Sequence, residues 1–246
     1  SEADGAQTLT VDAGTNGDVV VNGAVGGSPA LAGFAIAEAA VAQVESVQTA
    51  GGVGTDTIDI GSTAAVDTLR LGVVGAVTLA TDGDGQGSDA GNIRLNATNA
   101  VDVQNTVTFD TNDATAAGGS GVGIDGSITV AGGSELAGST GAEGVIFDLG
   151  DSNLDVSGVT FTTMDFVLVR SAGDLGLGAI TTNDGDTNPD NANYGIDLTA
   201  SGTITLNGDL ATDGLGADAN TGGVRFAGAS GITLAANIAI DTDDGG

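Results

Sequence analysis

Asp184, Asp186, Asn188 and Asp190 alternate along "DGDTNPDNAN", which places four side-chain oxygens two residues apart in one loop. Alternate residues of a tight loop can converge on a hard cation, and calcium is the ion such oxygens favour. The loop is not an EF-hand, because Pro189 stands where that loop needs glycine and Gly195 where it needs glutamate. "DGDGQGSD" offers Asp82, Asp84 and Asp89 in the same manner. "GGVGTDTID", from Gly51, fits a calcium-binding nonapeptide once, without a second copy beside it. The competing reading is that these residues form turns, which Asp and Asn do readily. Calcium is the expected cofactor if any of these loops binds a metal, with Asp184, Asp186, Asn188 and Asp190 first and Asp82 and Asp84 second.

Other chemistry is thinly provided for. There is no histidine and no cysteine, so the commonest general base and the thiolate ligand are both missing. The chain has 33 acidic residues against four basic ones: Arg70, Arg94, Arg170 and Arg225. A groove that cleaves acidic polysaccharide needs more cations than that. Arg94 and Arg225 hold equivalent outward places in their strands, which suggests a repeated solvent-facing or stacking role, such as ion pairing to a neighbouring aspartate. The threonines of "TFTT" and "AITT" do not fall regularly on one face, as an ice-binding surface requires. The expected class is therefore non-enzymatic.

A net charge of −29 argues against nucleic-acid and anionic-membrane partners, both of which select basic patches. It also repels itself unless salt or cations screen it. A solvating acidic surface on a secreted marine or halophilic protein would account for most of it. Aromatics make up only 3% of the chain and glycine 44 of its 246 residues. A core one or two side chains deep can be filled by Val, Ile, Leu and Ala alone.

The elements that must position the acidic loops are short. Apolar–x–apolar triplets recur as "LTV" at Leu9, "VVV" at Val19, "IDI" at Ile58, "LRL" at Leu69 and "VTL" at Val77. They continue as "IRL" at Ile93, "VDV" at Val101, "VTF" at Val107, "ITV" at Ile128 and "LDV" at Leu154. Later copies are "IDL" at Ile196, "ITL" at Ile204, "VRF" at Val224, "ITL" at Ile232 and "IAI" at Ile238. Period two between glycine and aspartate breaks predicts strands. Three strands and a variable acidic corner make one coil, and stacked coils bury a strip that no coil buries alone. "TDGDGQGSDAGNIRL" at Thr81 and "TDGLGADANTGGVRF" at Thr212 then read as the same corner of successive turns. The segment 33–47 has helical spacing at Ile36, Ala40, Val44 and Val47, but lacks caps and lies between coils, so strands are expected there too. A β-sandwich is the alternative, and it would want longer strands and aromatic pairs.

The stretch "QTLTVDAGTNGDVVVNGAVGGSPALAGFAI" resembles the repeat of filamentous-haemagglutinin-like giant bacterial surface proteins. The likeness covers roughly residues 7 to 36; further on only the strand–glycine rhythm and phrases such as "GSITV" and "GTITLNGDLATDG" are similar. The resemblance implies a single-stranded right-handed parallel β-helix, a β-solenoid, exported to the cell surface for adhesion or filament formation. It carries over no catalytic residues.

These readings predict an all-β solenoid module over 1–246. At about 25 residues per coil it holds about ten coils, and a rise of about 4.8 Å per coil gives a rod just under ~50 Å long. Its expected place is extracellular or on the cell surface. Neither a signal peptide nor an apolar span is present. Joined end to end, "IAIDTDDGG" and "SEADGAQTLTV" read like another acidic corner, so the expected partner is the protein itself, in tandem or head to tail. A carbohydrate-binding adhesin module, with a cell-surface glycan as partner, is the alternative function.

Overall fold

The computed structural model describes residues 6–27, 30–52, 54–81, 89–113, 124–132, 135–183, 188–191, 193–212 and 222–242. Among them there is no helix. A three-residue strand cannot stand alone, so each one lies in a ladder. Every named pairing is parallel, and the partner is a strand of similar sequence further along the chain.

The first sheet contains Thr8–Val11, Gly33–Ile36, Asp56–Ile60, Asn92–Ala97 and Ile128–Gly132. The second runs through Asp18–Val20, Val41–Val44, Thr68–Leu71, Val101–Val103, Glu135–Gly138, Thr160–Met164, Ile180–Thr182, Leu210–Ala211 and Ile240–Asp241. The third holds Val47–Gln48, Val77–Ala80, Val107–Asp110, Gly144–Asp148, Phe166–Ser171, Tyr194–Thr199 and Gly223–Ala227. The fourth is Leu154–Val156, Leu175–Leu177, Thr203–Leu206 and Gly231–Leu234. Its first strand lies against Ile128–Gly132, so it takes over where the first sheet stops. The chain visits the sheets in constant order: first (later fourth), second, third, then first again.

The register follows the triplets. Ile58, Ile93 and Ile128 are successive partners, as are Leu69 with Val101 and Ile196 with Val224. Their side chains point inward and merge into one apolar cluster from Val19 to Leu210. Phe109 stacks on Phe147 at 5.3 Å, and Phe147 meets Phe161 edge-on at 6.1 Å. The segment 33–47 carries strands, not a helix: Gly33–Ile36, Val41–Val44 and the start of Val47–Gln48, with Phe34, Ile36, Ala42, Val44 and Val47 buried. Between Glu135 and Thr182 lie strands the triplet pattern did not single out, such as Gly144–Asp148 and Phe166–Ser171. Their outward places carry Ile146 and Leu168, which pack with Phe166 in a second cluster. That apolar outer face masks period two.

One expectation is corrected. The connection after Ala80 leaves the third sheet and enters the first, whereas the one after Ala211 leaves the second and enters the third. The two look-alike stretches are therefore different corners. Three strands separate neighbouring acidic connections in each half, but eight are described between those after Asp110 and Thr182. Eight is not a multiple of three, so the later corners fall one place out of step.

What the two stretches share is a threonine at the last inward position: Thr81 and Thr212, and likewise Thr49, Thr111 and Thr182, all fully buried. In the earlier half this threonine ties the base of the connection. Thr111 Oγ1 donates to Gly126 O at 2.9 Å, while Gly126 N donates back to Thr111 O at 3.0 Å. Thr81 Oγ1 donates to Gly91 O at 2.6 Å. A Cβ on Gly126 would run into Gly91 O, so the tie needs glycine there. Among the described residues, Thr182 and Thr212 have no partner for the hydroxyl. Valine at Thr81 or Thr111 should cost about 1–3 kcal/mol, because a buried carbonyl loses its donor. Valine at Thr182 or Thr212 should be neutral or stabilising, because it removes a buried unpaired hydroxyl. Urea unfolding of the four variants checks this ordering.

Candidate functional site

Of the predicted calcium ligands, Asp82, Asp84, Asp184 and Asp186 lie outside the described residues. Asn188 and Asp190 are described, and both are engaged. Asn188 Oδ1 accepts from Asp190 N at 3.1 Å and Asn191 N at 3.3 Å, and its Nδ2 donates to Tyr194 O at 2.9 Å. Asp190 receives Arg170 in a fork, Nε to Oδ2 and Nη2 to Oδ1, both 3.0 Å. Turn formation and ion pairing thus occupy the two oxygens that alternate spacing assigned to a cation. Among the described residues no group of three or more acidic side chains is arranged to hold a metal.

The arginines follow a rule that the sequence hinted at. Asp59 is the register partner of Arg94, Asp197 of Arg225 and Asp102 of Arg70. Each arginine reaches one strand along its own sheet, at 2.9 Å, 2.6 Å and 3.6 Å respectively. Burial still raises Asp59 above the usual carboxylate range, outweighing the attraction of Arg94. Asp197 is fully buried, and the Arg225 guanidinium also sits 5.6 Å from the centre of the Tyr194 ring. Arg170 departs from the rule. A register shift at Asp148 pairs it with Ser171, so Arg170 has no strand partner and turns to Asp190.

Two further acids meet on the outer face of the third sheet. Asp148 is the register partner of Asp110. Asp148 Oδ1 accepts from Asn112 Nδ2 at 2.9 Å and from Ser171 Oγ at 2.7 Å. Asp110 is raised to about 6, by burial first and by the charge of Asp148 second, with Arg170 pulling the other way. Asp110 follows the "VTF" triplet as the last residue of its strand, and its neighbour is set by pairing 38 residues away, which no local pattern announces. Asp125 is likewise raised by burial, and its two oxygens accept Asp113 N at 2.9 Å and Asp151 N at 2.5 Å. It ties the end of the first sheet to the start of the fourth. Glu143 shows the opposite balance: burial pushes it up, but hydrogen bonds from Thr140, Ser139 and Gly141 prevail and hold it low.

The outer face of the fourth sheet carries a shallow trough of about 420 Å³, lined by the polar side chains of Asp155, Asp174, Thr205 and Asn207 together with Leu154, Leu175 and Gly176. Comparison with known proteins finds no matching family model, no matching curated protein and no matching solved structure.

Asp110 gives a pH signature. Its carboxyl holds a proton up to about pH 6 when folded, against a reference value of 3.8, so folding takes up a proton in between. Its contribution is most favourable below about pH 4 and declines as pH rises to about 6. Asp110→Asn should raise stability at pH 7 by about 1–2 kcal/mol and leave it unchanged near pH 4. Chemical denaturation across that range, compared with the parent protein, reads the difference.

Proposed function

We propose that the chain is a right-handed β-solenoid acting as a non-enzymatic structural module of an extracellular bacterial filament or adhesin. The observation that carries this is the unbroken parallel ladder, nine strands long in the second sheet, served by one apolar cluster. The constant order in which the chain visits its sheets supports closure into coils, and right-handed crossovers are the rule between parallel strands. In such a rod the interstrand hydrogen bonds lie along the axis, so tension along it is shared at each level by every sheet. The resemblance of residues 7 to 36 to giant surface-protein repeats supports the location. The pairing of all four arginines with aspartates supports a non-catalytic role.

Calcium belongs to the same reading as a counter-ion for the acidic connections, through Asp82, Asp84, Asp184 and Asp186. Chelator at fixed ionic strength should then lower the melting temperature, and an unchanged melting curve would leave the aspartates as turn formers alone. Antibody raised against the chain should decorate fibres or the outer surface of the cells that make it. Gold label confined to the cytoplasm would overturn the assignment. The polar trough on the fourth sheet favours a second reading, a glycan-binding adhesin module, since paired carboxylate, amide and hydroxyl groups suit sugar hydroxyls. Saturable binding on a glycan array, lost on Gly176→Phe, would establish it.

A further inference from the structure

We propose that a groove on the outer face of the third sheet binds a small aliphatic amine, whose ammonium group pairs with Asp110. The groove holds about 320 Å³, at the lower end of the range of about 300–1,000 Å³ common for small-molecule sites. Its floor is a row of neighbours across the sheet. Gly26 lies against Gln48, Gln48 is the register partner of Ala80, and Ala80 that of Asp110. Strands lie about 4.8 Å apart, so three such steps span roughly 14 Å. Ala80 puts a single methyl between two longer side chains, and that leaves the depression.

Backbone pairing builds the walls. Val25 N donates to Ser46 O at 2.9 Å, and Val25 O accepts from Gln48 N at 2.8 Å. The chain then turns away through Gly26 and Gly27, with φ of 86° and 115°. A Cβ on Gly26 would run into Gln48 O, so this close approach needs glycine. Thr78 N donates to Ser46 Oγ at 3.1 Å and holds the side of the groove.

The groove lacks a cation. Asp59, Asp102 and Asp197 each have an arginine as register partner, whereas the register partners of Asp110 are Ala80 and Asp148. Among the described residues, Asp110 accepts one hydrogen bond, from Asn112 N to Oδ1 at 3.2 Å, and forms no ion pair. Three charged groups act on it: Asp148 from Gly144–Asp148, Arg170 from Phe166–Ser171, and Asp125 from the connection before Ile128–Gly132. Arg170 gives its fork to Asp190. An ammonium group would bring the missing positive charge and three donors to Asp110. Ala80 and Val25 offer apolar surface to its stem. The lining holds no basic residue, so a carboxylate or phosphate on the ligand would go unmatched.

Hexylamine, 1-hexanol and hexanoate share a stem and differ in charge. Isothermal titration at pH 7 is expected to show saturable binding of hexylamine and none of the other two. D110N removes the charge and nearly keeps the shape, while A80L fills the floor. Each should weaken binding by about ten- to a hundredfold. Below about pH 6 Asp110 is protonated and must release that proton to pair. Binding to the parent chain should therefore be about tenfold weaker at pH 5 than at pH 7, and D110N should lose this dependence. Non-saturable uptake that D110N leaves unchanged would be counter-ion condensation on a chain of net charge −29, and would overturn the site. Saturable binding that survives in both variants would overturn its location. Equal binding of 1-hexanol would overturn the ion pair. Calcium that displaces hexylamine, and loses its own binding in D110N, would overturn the organic ligand in favour of a metal.

Discussion

A parallel ladder of three-residue strands has almost nothing to hold it within its own level; its stability comes from the side chains stacked above and below. Ile58, Ile93 and Ile128 illustrate the constraint. Each is buried only because its register partner covers it, so a change of register anywhere would expose a whole inward column. The same constraint explains the scarcity of aromatics. Val, Ile, Leu and Ala make up most of the buried cluster, and three phenylalanines, at 109, 147 and 161, are in ring contact within it.

Charge is organised by the same stacking. Asp59 beneath Arg94 and Asp197 beneath Arg225 are neighbours because their strands are, and burial raises the stakes of each pair. Removing Arg225 would leave Asp197 buried and unpaired, which is far costlier than never having had the pair. Where the ladder slips by one residue, at Asp148, the pairing rule breaks and an arginine is released to a loop aspartate instead. Among the described acids, some are held by an arginine in register and others, such as Asp125, Glu143 and Asp174, by backbone N–H groups.

Much of this was legible from the triplets. The strands at Ile58, Ile93, Ile196 and Val224 stand where alternation puts them, and the "IDL" triplet at Ile196 pairs in register with "VRF" at Val224. The arginine–aspartate pairing was legible too, once equivalent outward places were noticed. The strands Gly144–Asp148 and Phe166–Ser171 were not, because Ile146 and Leu168 bury their outer face and erase the alternation. Nor was the site around Asp110, whose partner is decided by pairing across an intervening connection. The equivalence of the stretches at Thr81 and Thr212 misled because threonine before an acidic turn marks the end of a strand, not the side of the molecule on which it ends.

The acidic connections after Asp110 and after Thr182 stand eight strands apart. The protein thus has something close to a reading frame of three. Any strand–turn unit can follow any other, because every sheet accepts the same apolar–x–apolar word, and only the running count decides which side it is written on. A duplication of three units would lengthen each ladder by one strand and leave each surface where it was. A gain or loss of one or two would keep every local contact satisfied while carrying all downstream surface chemistry round to another side. Selection could therefore reposition an entire surface by changing a count and leaving its residues alone.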